Sequence, residues 1–339
     1  MSNTRLESID VAKAICIILV VIGHYSPDGS PDWWMSIHDV IYSFHMPLFM
    51  FASGYIYMKF KKKETYVTFL NKKLKRLMIP YFTTSIIIIS FKLLSENNVY
   101  VENPVTAYTY LQILYLPSAG VFLWFIWTLF LFFLIIPIFK TSKSLLALLI
   151  CSLALYLLPI TFPSIFCLKE AKGMLIYFVL GVCVAHNNIK IQSEKKYYLW
   201  GAILAYTILY TATLYLKMPQ AISGIYDLSV ALLGVFAICM ISIRICKRKS
   251  LLKKLLLYIS PAVYIIYLFH TTFEGFTKGV ISKFTSLTAV SSFTFLCIAL
   301  AVITIGVLIP ILFYYYVLNR NKVSAFMFGL KYNSKNIKN

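Results

Sequence analysis

Residues 9–26 read IDVAKAICIILVVIGHYS, an apolar run with ionisable side chains at both ends. As a helix it would be about 27 Å long, close to the roughly 30 Å thickness of a bilayer's hydrocarbon core. Its leader places Glu7 and Asp10 beside Arg5, and no small-x-small cleavage pattern follows. The run therefore reads as a retained first helix and not as a cleaved signal. Nine further runs fall at about 36–58, 77–95, 120–139, 144–162, 172–187, 196–216, 225–246, 255–275 and 291–318. Helix is the expected state for each, because lipid offers no partner to unpaired backbone groups. Pro47 is interior to the second run and predicts a kink there.

Composition agrees. The 339 residues are 60% hydrophobic and 13% charged, with mean hydropathy +0.78, whereas a soluble domain is about 45–50% apolar and about 25% charged. The expectation is an all-α, polytopic integral membrane protein of about ten transmembrane helices over residues 1–318. A polar tail, 319–339, rich in Asn and Lys, is expected to be cytoplasmic and largely disordered. Seven cysteines without a CxxC pair argue against a disulfide framework and a metal site. No internal repeat of the transporter kind is visible.

The chain carries 32 Lys plus Arg against 12 Asp plus Glu. The basic residues lie in the gaps between apolar runs, the pattern set by topology and not by nucleic-acid binding. With the N-terminus inside, the inner segments hold 25 Lys and Arg and the outer segments six. Both termini are thus expected in the cytoplasm, with the bilayer as the first partner.

An ionisable residue within a span is a functional candidate. Asp10 and Lys13 are three apart and share a helix face. His24, 14 residues beyond Asp10, returns to nearly the same face about 21 Å further along. Placed by depth, His24, His45 and His270 fall about 9, 3 and 6 Å outward of the bilayer centre, in one layer. They suggest a shared polar cavity. The basic residues Lys72, Lys73, Lys75 and Arg76 open the third run at the inner end, beside Lys59 to Lys63. Positive-inside anchoring explains most of them, while Arg76 in particular suits a bidentate grip on phosphate. An anion grip inside with imidazole chemistry further out fits an acyl-CoA donor, with His as general base toward a hydroxyl. No Walker loop, Ser-centred elbow or His-rich metal motif is present, so neither ATP-driven work nor a metal is expected.

Several of these segments resemble one family. Arg5 to Lys13, running on to Val20-Val-Ile-Gly-His24, is similar to the first helix of the acyltransferase 3 family. Phe44-His-Met-Pro-Leu-Phe-Met-Phe-Ala-Ser-Gly-Tyr55 resembles its second-helix stretch, and Lys73-Leu-Lys-Arg-Leu-Met-Ile-Pro-Tyr81 its basic motif. Leu123-Trp124-Phe-Ile-Trp127 and Tyr264-Ile-Ile-Tyr267-Leu-Phe-His270 are similar to two weaker signatures. The resemblance implies a multi-pass bacterial inner-membrane protein that transfers acyl groups, commonly acetyl from acetyl-CoA, to sugars of surface or exported glycans. It implies His24 as base or transient acyl acceptor, with Arg76, Lys73 and Lys13 toward the donor and Asp10 organising that basic end through Lys13 or Arg76, since it lies too far along the helix to orient His24 directly. His45, His270, Ser53, Trp124 and Tyr267 would line the cavity. Lys13 and Lys73 stand where the family commonly has arginine, keeping the charge without the planar fork. The alternative expectation is a glycan export component without acyl transfer.

Overall fold

The computed structural model describes residues 6–96, 103–189, 196–216, 220–285, 290–330 and 332. Arg5, Lys190, Lys195, Lys217, Lys331, Lys335 and Lys338, used in the charge count, lie outside them. Among the described residues all regular structure is helical. In chain order the α-helices are α1 (Glu7–His24), α2 (Asp32–Tyr42), α3 (His45–Lys59), α4 (Tyr66–Lys73) and α5 (Ile79–Ser95). The single turn α6 (Thr109–Gln112) precedes α7 (Trp124–Ile135), α8 (Ser142–Leu157), α9 (Leu168–His186), α10 (Lys196–Tyr215) and α11 (Gln220–Lys247). The set closes with α12 (Leu251–Ile259), α13 (Val263–Ile281), α14 (Ser292–Phe313) and α15 (Lys322–Met327).

Five helical stretches are long and apolar enough to cross a membrane: Tyr66–Ser95, Val121–Ile138, Ile222–Lys247, Leu251–Ile281 and Ser292–Leu318. Between a third and a half of each most apolar window is buried inside the protein. Leu94, Val121, Leu251 and Phe293 are all at least 75% exposed, so a broad apolar surface faces outward, as a membrane protein requires. The remaining apolar helices are shorter or open on charges, such as Glu7, Asp10 and Lys13 in α1 and Lys169, Glu170 and Lys172 in α9.

Local sequence sets the helix boundaries. Thr141 caps α8 in a reciprocal box with Ser144, and Ser250, Ser291 and Asn321 accept from backbone N–H groups at the starts of α12, α14 and α15. The second apolar run departs from the expected kinked helix. It breaks completely at Ser43–Phe44 into α2 and α3, with Pro47 in the first turn of α3. The Pro47 ring would meet the carbonyl of Ser43, four residues back, so the break falls where the steric conflict lies. A π-helical turn, Leu74–Met78, joins α4 to α5, and a second, Tyr314–Leu318, follows Pro310 at the end of α14.

The start of the expected disordered tail is ordered. Residues 319–330 form α15 and a turn at Gly329, whose φ of 63° needs a glycine. Phe328 is buried, with its ring 5.4 Å from Phe269; that apolar anchor outweighs the polar composition of its neighbours. Residues 331 and 333–339 of the tail lie outside the described residues.

Helix α1 is enclosed. Val11, Ala14, Cys16, Ile17 and Val21 are fully buried, so the helix that carries Asp10, Lys13 and His24 is walled by other helices. Around it, α3 and α9 approach closely at Gly54 and Gly181, where small residues let two backbones touch.

Candidate active site

A cavity of about 530 Å³ opens where α1 and α10 end and α3, α7, α9 and α11 begin. That volume is within the usual range for a small-molecule site. Of the residues singled out in the sequence, His24, His45, Trp124 and Tyr267 lie on its wall, together with Tyr42, Ser43, Phe122, Tyr156, Tyr177, Tyr210, Thr213 and Asp227. His270 stands behind His24, ring centroids 5.0 Å apart at 63°. Ser53 does not line it: it lies eight residues, or about 12 Å of helix, beyond His45.

Two of the three histidines are locked in one tautomer. The His45 Nδ1 donates to the Ile41 carbonyl at 2.9 Å, and the His270 Nδ1 donates to the carbonyls of Ile266 and Tyr267 at 3.0 and 2.9 Å. A carbonyl only accepts, so in the neutral ring the proton sits on Nδ1 and Nε2 keeps its lone pair. The His270 Nε2 is buried without a hydrogen-bond partner among the described residues. His24 is half-buried; its Nδ1 is 3.5 Å from the Tyr42 hydroxyl, and the Phe122 ring centroid is 6.4 Å from its own. Phe122 is fixed in turn, because its carbonyl accepts from the Tyr267 hydroxyl at 2.6 Å.

The other end of α1 is separate from this cavity. Asp10 pairs with Lys13 at 2.9 Å beside a small hollow of about 170 Å³ lined also by Leu6, Ile9, Ile56 and Phe60. Lys72 pairs with Glu64, and Lys253 with Glu7 at 2.7 Å. Lys73 is directed elsewhere than solution: its Nζ lies 3.6 Å from the Phe133 ring centroid and 5.2 Å from that of Phe69. The π turn carries Lys75 and Arg76 with both side chains exposed, and the Arg76 carbonyl accepts from the Tyr264 hydroxyl at 3.4 Å.

Apart from Tyr267, the sequence does not single out the cavity's tyrosines, nor two carboxylates. Asp227 lies on the cavity wall. Glu274, only 2% exposed, lies one turn beyond His270 on α13, and a Cβ at Gly306 would come within 2.9 Å of its Cγ. Both stand inside apolar runs, so the rule that selected Asp10 would have found them.

The model of a family described as an acyltransferase domain matches residues 6–328. The chain belongs to the acyltransferase 3 family. Its matches among curated proteins are local. Nodulation protein NolL of Mesorhizobium japonicum (strain LMG 29417 / CECT 9101 / MAFF 303099) is 36% identical over 84 residues, 23% of this chain and 22% of that protein. Nodulation protein NolL of Sinorhizobium fredii (strain NBRC 101917 / NGR234) is 34% identical over 84 residues, 23% of each. The match thus spans under a quarter of either relative. No solved structure matches. Among the described residues no group of three or more His, Cys, Asp or Glu suited to a metal ion occurs.

Proposed function

We propose that this protein is an O-acyltransferase of about ten spans in the bacterial inner membrane, both termini cytoplasmic. It moves an acyl group, acetyl in the simplest case, from cytoplasmic acyl-CoA to a hydroxyl of a cell-surface or exported glycan. The observation that carries the reading is the placement of His24 on a cavity wall beside His270, at the far end of the helix that starts at Asp10 and Lys13.

Arg76, with Lys75, is the grip for the donor's phosphates, since those side chains are exposed at the basic end, whereas Lys72 is paired with Glu64. Lys73 contributes less, because its ammonium is directed at two rings. The donor's flexible arm reaches along α1, bridging roughly the 21 Å of helix rise between Asp10 and His24. In the cavity the acceptor oxygen attacks the thioester carbonyl carbon while the His24 imidazole takes the hydroxyl proton. The C–S bond breaks, the CoA thiolate leaves, and the proton held by His24 returns to that sulfur. The products are the glycan ester and CoA thiol, with atoms and charge balanced. His270 backs the ring that becomes cationic, and its bare Nε2 is an acceptor close by.

The test is acetyl transfer from labelled acetyl-CoA by purified wild type and His24→Ala, alongside ester content of surface glycan in a deletion strain rescued with each. Transfer should fall by about 10²–10⁴-fold, the usual loss of a general base, while glycan still reaches the surface. Full transfer by His24→Ala overturns the assignment; normal esters with glycan missing from the surface favour an export role.

A further inference from the structure

One stretch of the cavity wall takes no part in the chemistry above. It is built from the end of α8, the middle of α9, the end of α10 and the start of α11, and it presents Tyr156, Tyr177, Tyr210, Thr213 and Asp227. The aromatic groups are held rigidly. Tyr210 stacks on Tyr206 with centroids 5.7 Å apart and planes within 5°, and the Tyr206 hydroxyl is tied to the Ser43 hydroxyl at 2.8 Å and donates to the Val40 carbonyl at 3.3 Å. Tyr156 and Tyr177 meet edge to face at 6.1 Å, their hydroxyls 3.5 Å apart.

Asp227 is the charged member. It sits in the apolar sequence Ile225-Tyr-Asp-Leu-Ser-Val230 and is exposed to the cavity. Among the described residues it forms no salt bridge. Lys172, the cation on adjoining α9 next to cavity-lining Gly173, donates instead to the carbonyls of Leu158 and Ile160 at 2.7 and 2.8 Å. A carboxylate inside an apolar run, with no countercharge on it among the described residues, favours a ligand that brings donors of its own. Flat aromatic faces beside it suit the C–H face of a sugar ring, and an ionised carboxylate accepts from two hydroxyls at once.

We propose that this wall is the acceptor subsite and that it takes a pyranose bearing hydroxyl or ammonium donors and no negative charge. The ring lies on Tyr210 with its donors on Asp227, which leaves another hydroxyl to face His24. A uronic acid, sialic acid or phosphorylated sugar is rejected, because its anion would meet Asp227 across a poorly screened cavity. This rests on the acyltransferase reading.

The experiment uses full-length wild type, Asp227→Asn, Tyr210→Ala and His24→Ala, each expressed in a deletion strain. Ester formation on the strain's own glycan is followed in time, the esterified residue is identified by mass spectrometry, and binding of acetyl-CoA to each purified protein is measured. The expected result is an ester on a sugar without negative charge. Asp227→Asn should slow its formation by about tenfold to a hundredfold, the worth of a charged hydrogen bond, with acetyl-CoA binding retained. Tyr210→Ala should slow it too, without removing a charge. An ester on an anionic sugar, wild-type rates in Asp227→Asn, or loss of acetyl-CoA binding in that variant would overturn the subsite. If wild type forms no ester, the acyl-transfer reading falls and takes the subsite with it. If His24→Ala forms esters but Asp227→Asn does not, the subsite stands and the His24 assignment falls.

Discussion

Replacing Gly54 by alanine should damage both stability and catalysis, because α3 and α9 touch there through their backbones. A Cβ on Gly54 would lie 2.0 Å from the Phe178 carbonyl oxygen and 3.2 Å from the Val182 nitrogen. A Cβ on Gly181 would meet the Phe51 carbonyl oxygen at 2.0 Å and the Tyr55 nitrogen at 2.9 Å. Ordinary contact begins at 3.4 Å, so one methyl must part the helices by about 1.4 Å, the difference between 3.4 and 2.0 Å. No rotamer relieves a clash with a carbonyl, and the cost belongs at the upper end of the roughly 1–3 kcal/mol typical of overpacking. The same shift carries into the cavity, since α3 delivers His45 and α9 delivers Gly173, Met174 and Tyr177 to its wall. A misplacement of that size lowers a rate by about 10²-fold. Thermal unfolding in nanodiscs, with acetyl transfer on the same preparation, reads both effects. Gly201→Ala on α10 is the control, because nothing lies within 4 Å of its Cβ; alanine there should stabilise by about 0.5–1 kcal/mol. If Gly54→Ala melts and turns over like wild type, or if Gly201→Ala is equally harmful, the close-contact reasoning is wrong.

Tyr267→Phe should lower the melting temperature and the rate together. It removes the hydroxyl that donates to the Phe122 carbonyl at 2.6 Å, leaving a buried acceptor unpaired at about 1–3 kcal/mol and loosening the ring beside His24 and His270. The two basic positions should separate by phenotype in acyl-CoA titrations and melting curves. Lys73→Met loses a contact with Phe133 and Phe69 worth about 0.5–2 kcal/mol of stability, whereas Arg76→Gln should raise KM for acyl-CoA about tenfold or more. The opposite order would place the donor on Lys73.

The sequence showed the histidine layer because an imidazole in an apolar run is costly and stands out. His24, His45 and His270 were legible for that reason, and His24 and Tyr267 do meet at the cavity. Apart from Tyr267, which its motif marks, the tyrosines were not legible: with 25 of them in the chain, nothing local separates Tyr210, stacked on Tyr206, from those facing lipid. Their selection depends on which helix ends meet, a long-range property. Pro47 marked the disturbance in the second run, but whether its ring bends a helix or splits it depends on what receives the freed groups. Here the His45 side chain donates to the Ile41 carbonyl and helps close the end of α2. Ser53 was chosen with its motif and not by its face, and it falls outside the cavity lining. The π turn at Leu74–Met78 has no local composition signal, yet it bears on where the side chains of the basic motif lie. In an uninterrupted α-helix Lys73 and Arg76, three apart, would share a face. The wider turn adds a residue to the cycle, and Lys73 lies over aromatic rings while Arg76 stays exposed.

That divergence, together with α1, gives the proposed mechanism its geometry. A rigid helix fixes its two ends relative to each other only if it cannot tilt or slide, and α1 meets this by being enclosed, with five residues along its length at 0% exposure. The Asp10–Lys13 pair and the His24 ring are therefore held a set distance apart, on one face, by packing and not by a direct bond. A donor gripped by its charged head near Arg76 must extend to reach the imidazole, and a short acyl-thioester that lacks such a head would have nothing to register it. Under the proposed mechanism, chain length between phosphate and thioester would act as a selectivity filter. On this reading a truncated donor that keeps the thioester and loses the nucleotide should lose rate chiefly through KM in wild type, and Arg76→Gln should add little further loss with that donor. A full additional loss would mean that Arg76 acts on the fold and not on the donor's head.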